Sequence, residues 1–591
     1  MKHEERMTYH NPQCIRKNWT DLCGEWDFEF DPQNMGLKEH WYESHEFSQK
    51  IKVPFAYQSP LSGLEEKENI PVVWYKKRVE IPLNEERILL HFQAVDFSTR
   101  VWVNGHNVYS HQGGFVPFKI DITDYVVSGL NDIVVRVEDI TSSEQILGKQ
   151  SWKDENFLCW YTKTTGIWQP VWMEIVPQNY IDEFYLVPNI EEGTLDIEIY
   201  TNPVGSSGQL QVDIAFNERK VAHSTIQIVD HYGHQRMYIQ SDDPNFRLHY
   251  WTPEDPNLYD ITLSYRNGQT DDVIYSYIGM RAIDSREGDI LLNNEVFYQK
   301  LILNQGYYAE GLMTPPDVNW FVEDILKTKK MGFNGMRIHQ KVEEHKFLYL
   351  CDYYGLVLWA EMPSFYKFNR FSKRNYLENL EAFIRKHYNH PSVIVWTLFN
   401  ESWGVNGIYG DQKQQQFVNA IFELTKSMDS TRMVIGNDGW EHTRTDILSI
   451  HDYTSEPEQI KQQYAKIKEK VNGSLSMTSS KYNYCKGYQY EGEPILLSEF
   501  GGVAYTQSKE VDNAWGYGER LKTEEDVIEK ISTLMKVVME IDGVCGFCYT
   551  QLSDVEQEIN GLLDHQHEYK FSQKKIKDTL NTYRSTGFVF E

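Results

Sequence analysis

Residues Ser392–Gly404, SVIVWTLFNESWG, constrain the chain more than any other stretch. A run of β-branched and aromatic residues, Val393 to Trp396, leads to an abrupt polar tip of Asn400 and Glu401, followed by Ser402, Trp403 and Gly404. A short apolar run of this kind is the mark of a strand buried on both faces, as parallel strands are. In a closed parallel barrel the strand C-termini carry the active site. Pro494–Gly502, PILLSEFGG, repeats the form and ends its apolar run on Glu499. Two strand-end carboxylates on one barrel are what a retaining glycosidase needs, an acid/base and a nucleophile.

The sequence around these stretches supports a barrel. Strand-like segments alternate with amphipathic ones, which implies parallel β/α architecture. The strand candidates are Lys300–Leu303, Gly335–Ile338, Val357–Ala360, Val393–Phe399, Met433–Gly436, Leu448–Ile450, Ile495–Ser498 and Val544–Tyr549. Between them, Asp317–Met331 places Phe321, Ile325 and Leu326 on one face and Lys327, Lys329 and Lys330 in its last turns, where cations suit the helix dipole. Tyr376–Tyr388 and Thr523–Ile541 behave similarly. This predicts a C-terminal (β/α)₈ TIM barrel over residues 281–591.

A chain of 591 residues exceeds one core, and the upstream part reads as all-β. Up to residue 177, short alternating segments (Trp26–Phe30, Val73–Ile81, Ile88–Phe92, Thr99–Val103, Asp132–Val137) are separated by turn signals such as Asn104-Gly105 and Gly113-Gly114. Such spacing predicts a sandwich or jelly roll. Residues 178–280 alternate again, at Thr194–Tyr200, Gln209–Phe216, Ser224–Ile228 and Leu258–Tyr265, and predict an immunoglobulin-like β-sandwich. That module carries no evident chemistry and reads as a spacer holding the first domain against the barrel.

Each barrel strand also ends on polar groups: Asn304 and Gln305, then Tyr307 and Tyr308; Arg337, His339 and Gln340; Glu361; His451 and Asp452; Thr550 and Gln551. Packing alone does not explain so many polar groups at one end of a dry core.

The tripeptide Phe399-Asn400-Glu401, with Glu499 after a second strand, resembles glycoside hydrolase family 2, the family of β-galactosidases, β-glucuronidases and β-mannosidases. Leu22-Cys23-Gly24-Glu25-Trp26 with Phe28 resembles the opening of the family's sugar-binding domain, and Thr165-Gly166-Ile167-Trp168-Gln169 resembles its last loop. Arg281-Ala282-Ile283-Asp284 resembles the family's entry to the barrel. The resemblance implies that Glu401 is the acid/base and Glu499 the nucleophile. It sets Arg337 against the nucleophile and assigns Asn400 to the sugar 2-hydroxyl. It brings the loop holding Trp160 and Tyr161 to the active site, although both also fit a sandwich core. His339 and His451 would bind hydroxyls or orient the carboxylates, and Asp452 joins them as a substrate-binding candidate. Tyr484 is the candidate contact to the nucleophile, with Tyr482, Tyr488 and Tyr490 as competitors. Tyr549 falls where the family places a Trp sugar platform.

Glu401 has to start each cycle protonated, which apolar surroundings and the charge of Glu499 would favour; Glu499 has to start ionised, which a neighbouring cation favours. The leading expectation is an exo-acting retaining β-glycosidase, with β-D-galactosides ahead of β-uronides. In the loop after the eighth strand, Glu558 and Asn560 stand where β-glucuronidases of the family carry an Asn-x-Lys pair for the substrate carboxylate. A basic run, Lys367, Arg370, Lys373 and Arg374, is either a solvated face or a carboxylate site reached from another direction. A reading of another class, an inactive carbohydrate-binding protein, sits poorly with the presence of both carboxylates.

Composition narrows the remaining choices. A formal net charge of −28 argues against nucleic-acid partners. Aromatic residues make up 14% of the chain, which suits sugar faces and β-rich cores alike. The 7 cysteines are scattered and imply no disulfide framework, so a cytoplasmic location is expected. Cys545 and Cys548 read as packed thiols. The N-terminus lacks a secretory apolar core, and no run is long enough to span a membrane. No ligand-spaced metal cluster stands out and no cofactor is required, which leaves room for a structural Mg²⁺ or Na⁺ and for a homo-oligomer.

Overall fold

Eight apolar runs pair side by side as parallel strands in the computed structural model, which describes residues 1–582 apart from 83–85, 241–244, 269, 472–480, 506–513 and 519. They are β1 (Gln299–Asn304), β2 (Gly335–Ile338), β3 (Val357–Glu361), β4 (Val393–Thr397), β5 (Met433–Ile435), β6 (Leu448–Asp452), β7 (Ile495–Gly501) and β8 (Val544–Thr550). The ladder runs β5-β4-β3-β2-β1-β8-β7-β6, so β1 pairs with β8 and the seam lies between β5 and β6. Every residue of the β2, β3, β4, β7 and β8 strands is buried, which accounts for their unbroken apolar reading.

Helices cover the barrel. α1 (Val318–Met331) starts on Asp317, whose side chain accepts from the Asn319 N–H, and ends at Gly332 with φ 98°, a left-handed stop that glycine adopts freely. α2 is His345–Tyr354. α3 (Arg370–His387) starts earlier than its apolar period predicts, because the Asn369 side chain caps the Ser372 N–H. Arg370, Lys373 and Arg374 therefore form the first turns of a helix. α4 (Gln412–Met428) and α5 (Glu524–Met539) follow, the latter capped by Thr523.

Strand β4 differs from expectation at its end. It stops at Thr397 instead of Phe399, and the next residues bond to the chain beyond β5: the Asp438 N–H donates to the Phe399 carbonyl (2.8 Å) and the Glu401 N–H to the Asp438 carbonyl (2.9 Å). Glu401 and Ser402 have φ of 51° and 60°, a left-handed turn that bulky residues adopt only where surroundings hold them there.

Upstream, antiparallel sheets of four and six strands enclose an apolar core that includes Trp26, Phe28, Tyr75 and Phe92, forming the jelly-roll sandwich. Sheets of three and four strands pack around Ile197, Val212 and Leu263 as the second, immunoglobulin-like sandwich. All 7 cysteines are free, and Cys545 and Cys548 are buried in β8. No helix among the described residues is long and apolar enough to cross a membrane.

One buried cation joins the two sandwiches. Arg16 bonds to Glu174 of the first (2.9 Å) and to Asp272 of the second (2.9 Å). Its partners pull its guanidinium pKa up despite burial. Arg16→Met leaves two buried carboxylates without their cation, a loss of about 3–5 kcal/mol. It should lower the denaturation midpoint in urea, and an unchanged midpoint would show that the joint does not rest on this residue.

Candidate active site

The site is built on Arg337, at the C-terminal end of β2, whose side chain is fully buried. A buried guanidinium must spend its donors on acceptors, and strand ends around the barrel supply them. Nε meets Glu361 of β3 (2.8 Å), Nη1 meets Asp438 (2.6 Å) and Glu499 of β7 (2.9 Å), and Nη2 donates to Oδ1 of Asn400 (2.7 Å). Because Oδ1 faces Arg337, the Asn400 amide NH₂ points elsewhere, buried and without a protein partner among the described residues.

His451, on β6, links the two expected catalytic carboxylates. Nδ1 lies 2.9 Å from Glu401, and Nε2 lies 3.1 Å from Asp438 and 3.4 Å from Glu499. Burial lowers the imidazole pKa, but Glu499 and Asp438 outweigh it and raise it to about 10. At neutral pH His451 is therefore an imidazolium, a second positive charge beside Arg337. The carboxylate oxygens of Glu401 and Glu499 that face it lie within 4.8 Å of one another.

Glu499 is held ionised. Burial pushes its carboxyl pKa up, while His451, Arg337 and His339 pull it net below the usual range, helped by the Tyr453 hydroxyl. That hydroxyl donates to Oε2 at 2.5 Å, and the Tyr453 ring stacks on Tyr517 at 3.4 Å between centroids. Asp438 is likewise kept low by Arg337 and His451 against burial, and Ser498 donates to it (2.7 Å). Glu361, at about 2, is lowered by Arg337 and His339.

The jelly roll supplies one wall. Tyr161 is fully buried and its hydroxyl donates to Glu558, while Trp160 donates to the Tyr366 hydroxyl (2.8 Å) and lies 5.6 Å from the Trp403 ring. Trp403 in turn lies 5.9 Å from the His339 ring.

Of the residues anticipated from sequence, Arg337, His339, Asn400, Glu401, His451 and Glu499 come together, with Trp160 and Tyr161 at the rim. Three do not take the expected place. Tyr484 packs beside His442, with its hydroxyl by Glu493, and Tyr453 is the tyrosine on Glu499. The loop before β7 runs back along the chain after β5, so Tyr484 pairs with His442 there. Asp452 accepts from the Thr454 N–H (2.8 Å) and faces Tyr464, tying down its own turn. Tyr549 is fully buried, edge-on to Phe500 and so close over Gly501 that a Cβ there would meet its ring at 2.3 Å. Trp403 and Tyr517 are the aromatic rings beside the carboxylates instead.

Sequence reasoning missed Asp438 and Tyr453. Asp438 follows an apolar run, as Glu361 does, so its position at a strand end was the available signal. Tyr453 follows His451-Asp452 by one residue but carried no signal that set it above the many other tyrosines. The basic run points to solvent: Lys367 is 61% exposed and paired with Glu144, and Arg374 is paired with Glu378 along its own helix.

These features coincide with similarities to known proteins. Residues 19–173 match the sugar binding domain of glycosyl hydrolases family 2, residues 314–509 its TIM barrel domain, and residues 179–281 match glycosyl hydrolases family 2 as well. A putative beta-glucuronidase of Formosa agariphila is 27% identical over 61% of this chain and 44% of its own length. A beta-galactosidase of Thermoanaerobacter pseudethanolicus is 26% identical over 67% of this chain, which spans about half (52%) of that relative. A solved beta-galacturonidase of Eisenbergiella tayi bound to galacturonate shares the fold with a TM-score of 0.76, at 18% identity over 97% of this chain and 98% of that one.

Tyr453→Phe removes a hydrogen bond that favours ionised Glu499. A group whose pKa is held down by its partners takes up a proton at higher pH when one is removed. The acid limb of the kcat/KM pH profile should therefore move upward, with kcat/KM about 10- to 100-fold lower at its plateau, the size of a hydrogen bond to a charged group. An acid limb that stays in place would separate Tyr453 from the ionisation of Glu499.

Proposed function

Because the chain belongs to glycosyl hydrolases family 2 through all three of its matched domains, we propose that this glycoside hydrolase is an exo-acting retaining β-glycosidase working by double displacement. The observation that carries this reading is the approach of Glu401 to Glu499 within 4.8 Å. Retaining enzymes hold their carboxyl groups about 5–5.5 Å apart, whereas inverting enzymes leave room for a water between them.

The charges suit the nucleophile's attack. Glu499, ionised beside Arg337 and His451, attacks the anomeric carbon while Glu401 gives its proton to the departing oxygen. The glycosidic bond breaks and a glycosyl ester forms on Glu499, whose charge is thereby lost. Glu401, now a carboxylate, takes a proton from water as that water attacks the anomeric carbon, and the ester bond breaks to restore Glu499. The free Asn400 amide donates to the sugar 2-hydroxyl, a contact that strengthens as the oxocarbenium-like state develops. The loop carrying Trp160 and Tyr161 closes one side of the mouth, which supports action on terminal sugars.

For the glycone, a β-D-galactoside and a β-uronide are both in play. The galactoside reading rests on Glu558, an acidic group where a uronidase of the Asn-x-Lys type has its amide and cation. Glu558 is, however, occupied by Tyr161 and Asn560 (3.1 Å), and the family relatives include enzymes of both kinds. The uronide reading gains from a cation at the rim that is treated below.

Glu499→Gln should abolish turnover, a 2-fluoro glycoside should label Glu499, and the first product should keep the β-anomer by NMR. An inverted first product, or a label on another residue, rules out the retaining mechanism through Glu499. Glu401→Ala should slow poor leaving groups far more than activated aryl ones, and added azide should restore part of the turnover by replacing the water that needs a base. Equal losses for all leaving groups without azide rescue would remove Glu401 from the acid/base role.

A further inference from the structure

Buried cations in this protein have their charge answered by a carboxylate nearby, with few exceptions. Lys341 meets Glu343 (2.7 Å), Lys570 meets Asp554 (2.8 Å) and Arg432 meets Asp429 (2.7 Å). Lys149 is different. It is only 6% exposed, yet it makes no ion pair within 4.0 Å with a carboxylate among the described residues. The ammonium lies instead among aromatic rings at the site's rim: 5.1 Å from Trp403, 5.8 Å from Tyr161 and 6.0 Å from Trp160. Trp403 is two residues from Glu401, and Tyr161 holds Glu558, so Lys149 stands beside the space where a bound sugar meets the carboxylates.

Lys149 keeps its charge. Burial pushes the pKa down, but Cys159, Glu558 and Glu499 outweigh it and raise it. Lys386, buried without a carboxylate contact of this kind elsewhere in the molecule, falls to about 7. The Cys159 thiol that faces Lys149 is itself pushed up to about 11 by burial and is neutral at pH 7, so Glu558 and Glu499 are the anions that sustain the charge there.

Its position is fixed by both domains. The N–H groups of Leu147 and Gly148 donate to the Ser364 carbonyl of the barrel (2.9 and 3.1 Å). Gly148 has φ 58°, and a Cβ there would meet the Gln340 carbonyl at 2.2 Å, so the loop lies directly on the barrel rim. On the other side, the Lys149 carbonyl accepts from the Tyr161 N–H (2.8 Å), and Gln150 bonds to Asp96 (2.7 Å). The ammonium is thus held in place and charged at the rim, with no carboxylate of the described residues in direct contact, so an anionic ligand group can still pair with it.

We propose that Lys149, contributed by the jelly-roll domain, binds the carboxylate of a terminal β-D-hexuronide and sets the enzyme's preference for uronides over neutral galactosides. This rests on the glycosidase reading above and adds its substrate class. The Asn-x-Lys position after β8 holds Glu558 and Asn560, and the basic turn of α3 faces solvent. Among the described residues, Lys149 is thus the rim cation that no carboxylate contacts directly, delivered from the opposite wall. Glu558, with Tyr161 and Asn560 on its oxygens, remains an acceptor for a ring hydroxyl.

The test compares kcat/KM of the full-length protein on matched nitrophenyl β-D-galacturonide, β-D-glucuronide and β-D-galactoside. The wild type should favour one of the uronides at least tenfold. In Lys149→Met the uronide-to-galactoside ratio should fall about 100-fold, the size of a lost hydrogen bond between charged groups, chiefly through KM. Lys149→Arg should recover part of it. Should Lys149→Met fold poorly, titration of Glu499→Gln with D-galacturonate and D-galactose gives an independent reading, and tighter binding of galacturonate is expected. A wild type that cleaves the galactoside without a uronide advantage overturns this assignment and leaves the glycosidase reading standing. A Lys149→Met enzyme slowed equally on all three substrates overturns it too, since Lys149 would then only support the fold. A wild type inactive on every β-glycoside takes both readings down.

Discussion

The ion network centred on Arg337 is what the rest of the active end depends on. Its guanidinium is fully buried on β2 and reaches Glu361, Asn400, Asp438 and Glu499. Those acceptors come from β3, from beyond β4 and β5, and from β7. A desolvated charge of this kind is tolerable only when nearly every donor is met, so the acceptors are held as tightly as the cation. The consequence for chemistry is direct. The same contact that anchors Glu499 keeps it ionised, and the one that anchors Asn400 leaves its amide NH₂ without a protein partner among the described residues.

Asp438 extends the network to the barrel's weakest line. β5 and β6 share no ladder, yet Asp438, just past β5, contacts His451 on β6 at 3.1 Å, and the His451 N–H donates to the Gly439 carbonyl (3.3 Å). Side chains and a loop bond therefore close the seam where backbone pairing does not. Asp438 also binds the backbone of Glu401, which fixes the left-handed turn at that residue. Closing the barrel and aiming the acid/base are thus one arrangement. The sandwiches complete it from outside: the loop through Lys149, Trp160 and Tyr161 rests on the barrel rim, and Arg16 holds the sandwich that bears it against its neighbour. A domain without catalytic carboxylates thereby supplies one wall of the barrel's mouth.

The strands of the barrel, their order along the chain and the two carboxylates at strand ends were legible in the sequence, because burial on both faces forces an apolar run and catalysis forces a polar break after it. The two sandwiches were legible for a related reason: strands with one solvated face alternate, and turns between them need Gly, Asn and Pro. What the sequence could not determine was where side chains go after the strands end. Tyr484 and Tyr453 are indistinguishable as letters, and only the path of the loops puts Tyr453 on Glu499. Tyr549 matches a sugar platform by position, but packing over Gly501 buries it. The charges at Lys367 to Arg374 fitted a solvated face or an anion site alike, and only the fold shows Lys367 and Arg374 exposed and paired with Glu144 and Glu378. Nothing in the sequence sets Lys149 apart among the 58 lysines and arginines; its burial at the rim arises from contact between domains far apart in sequence. Local pattern records burial and periodicity, whereas the direction of a side chain beyond its element is decided by contacts that form only when distant segments meet.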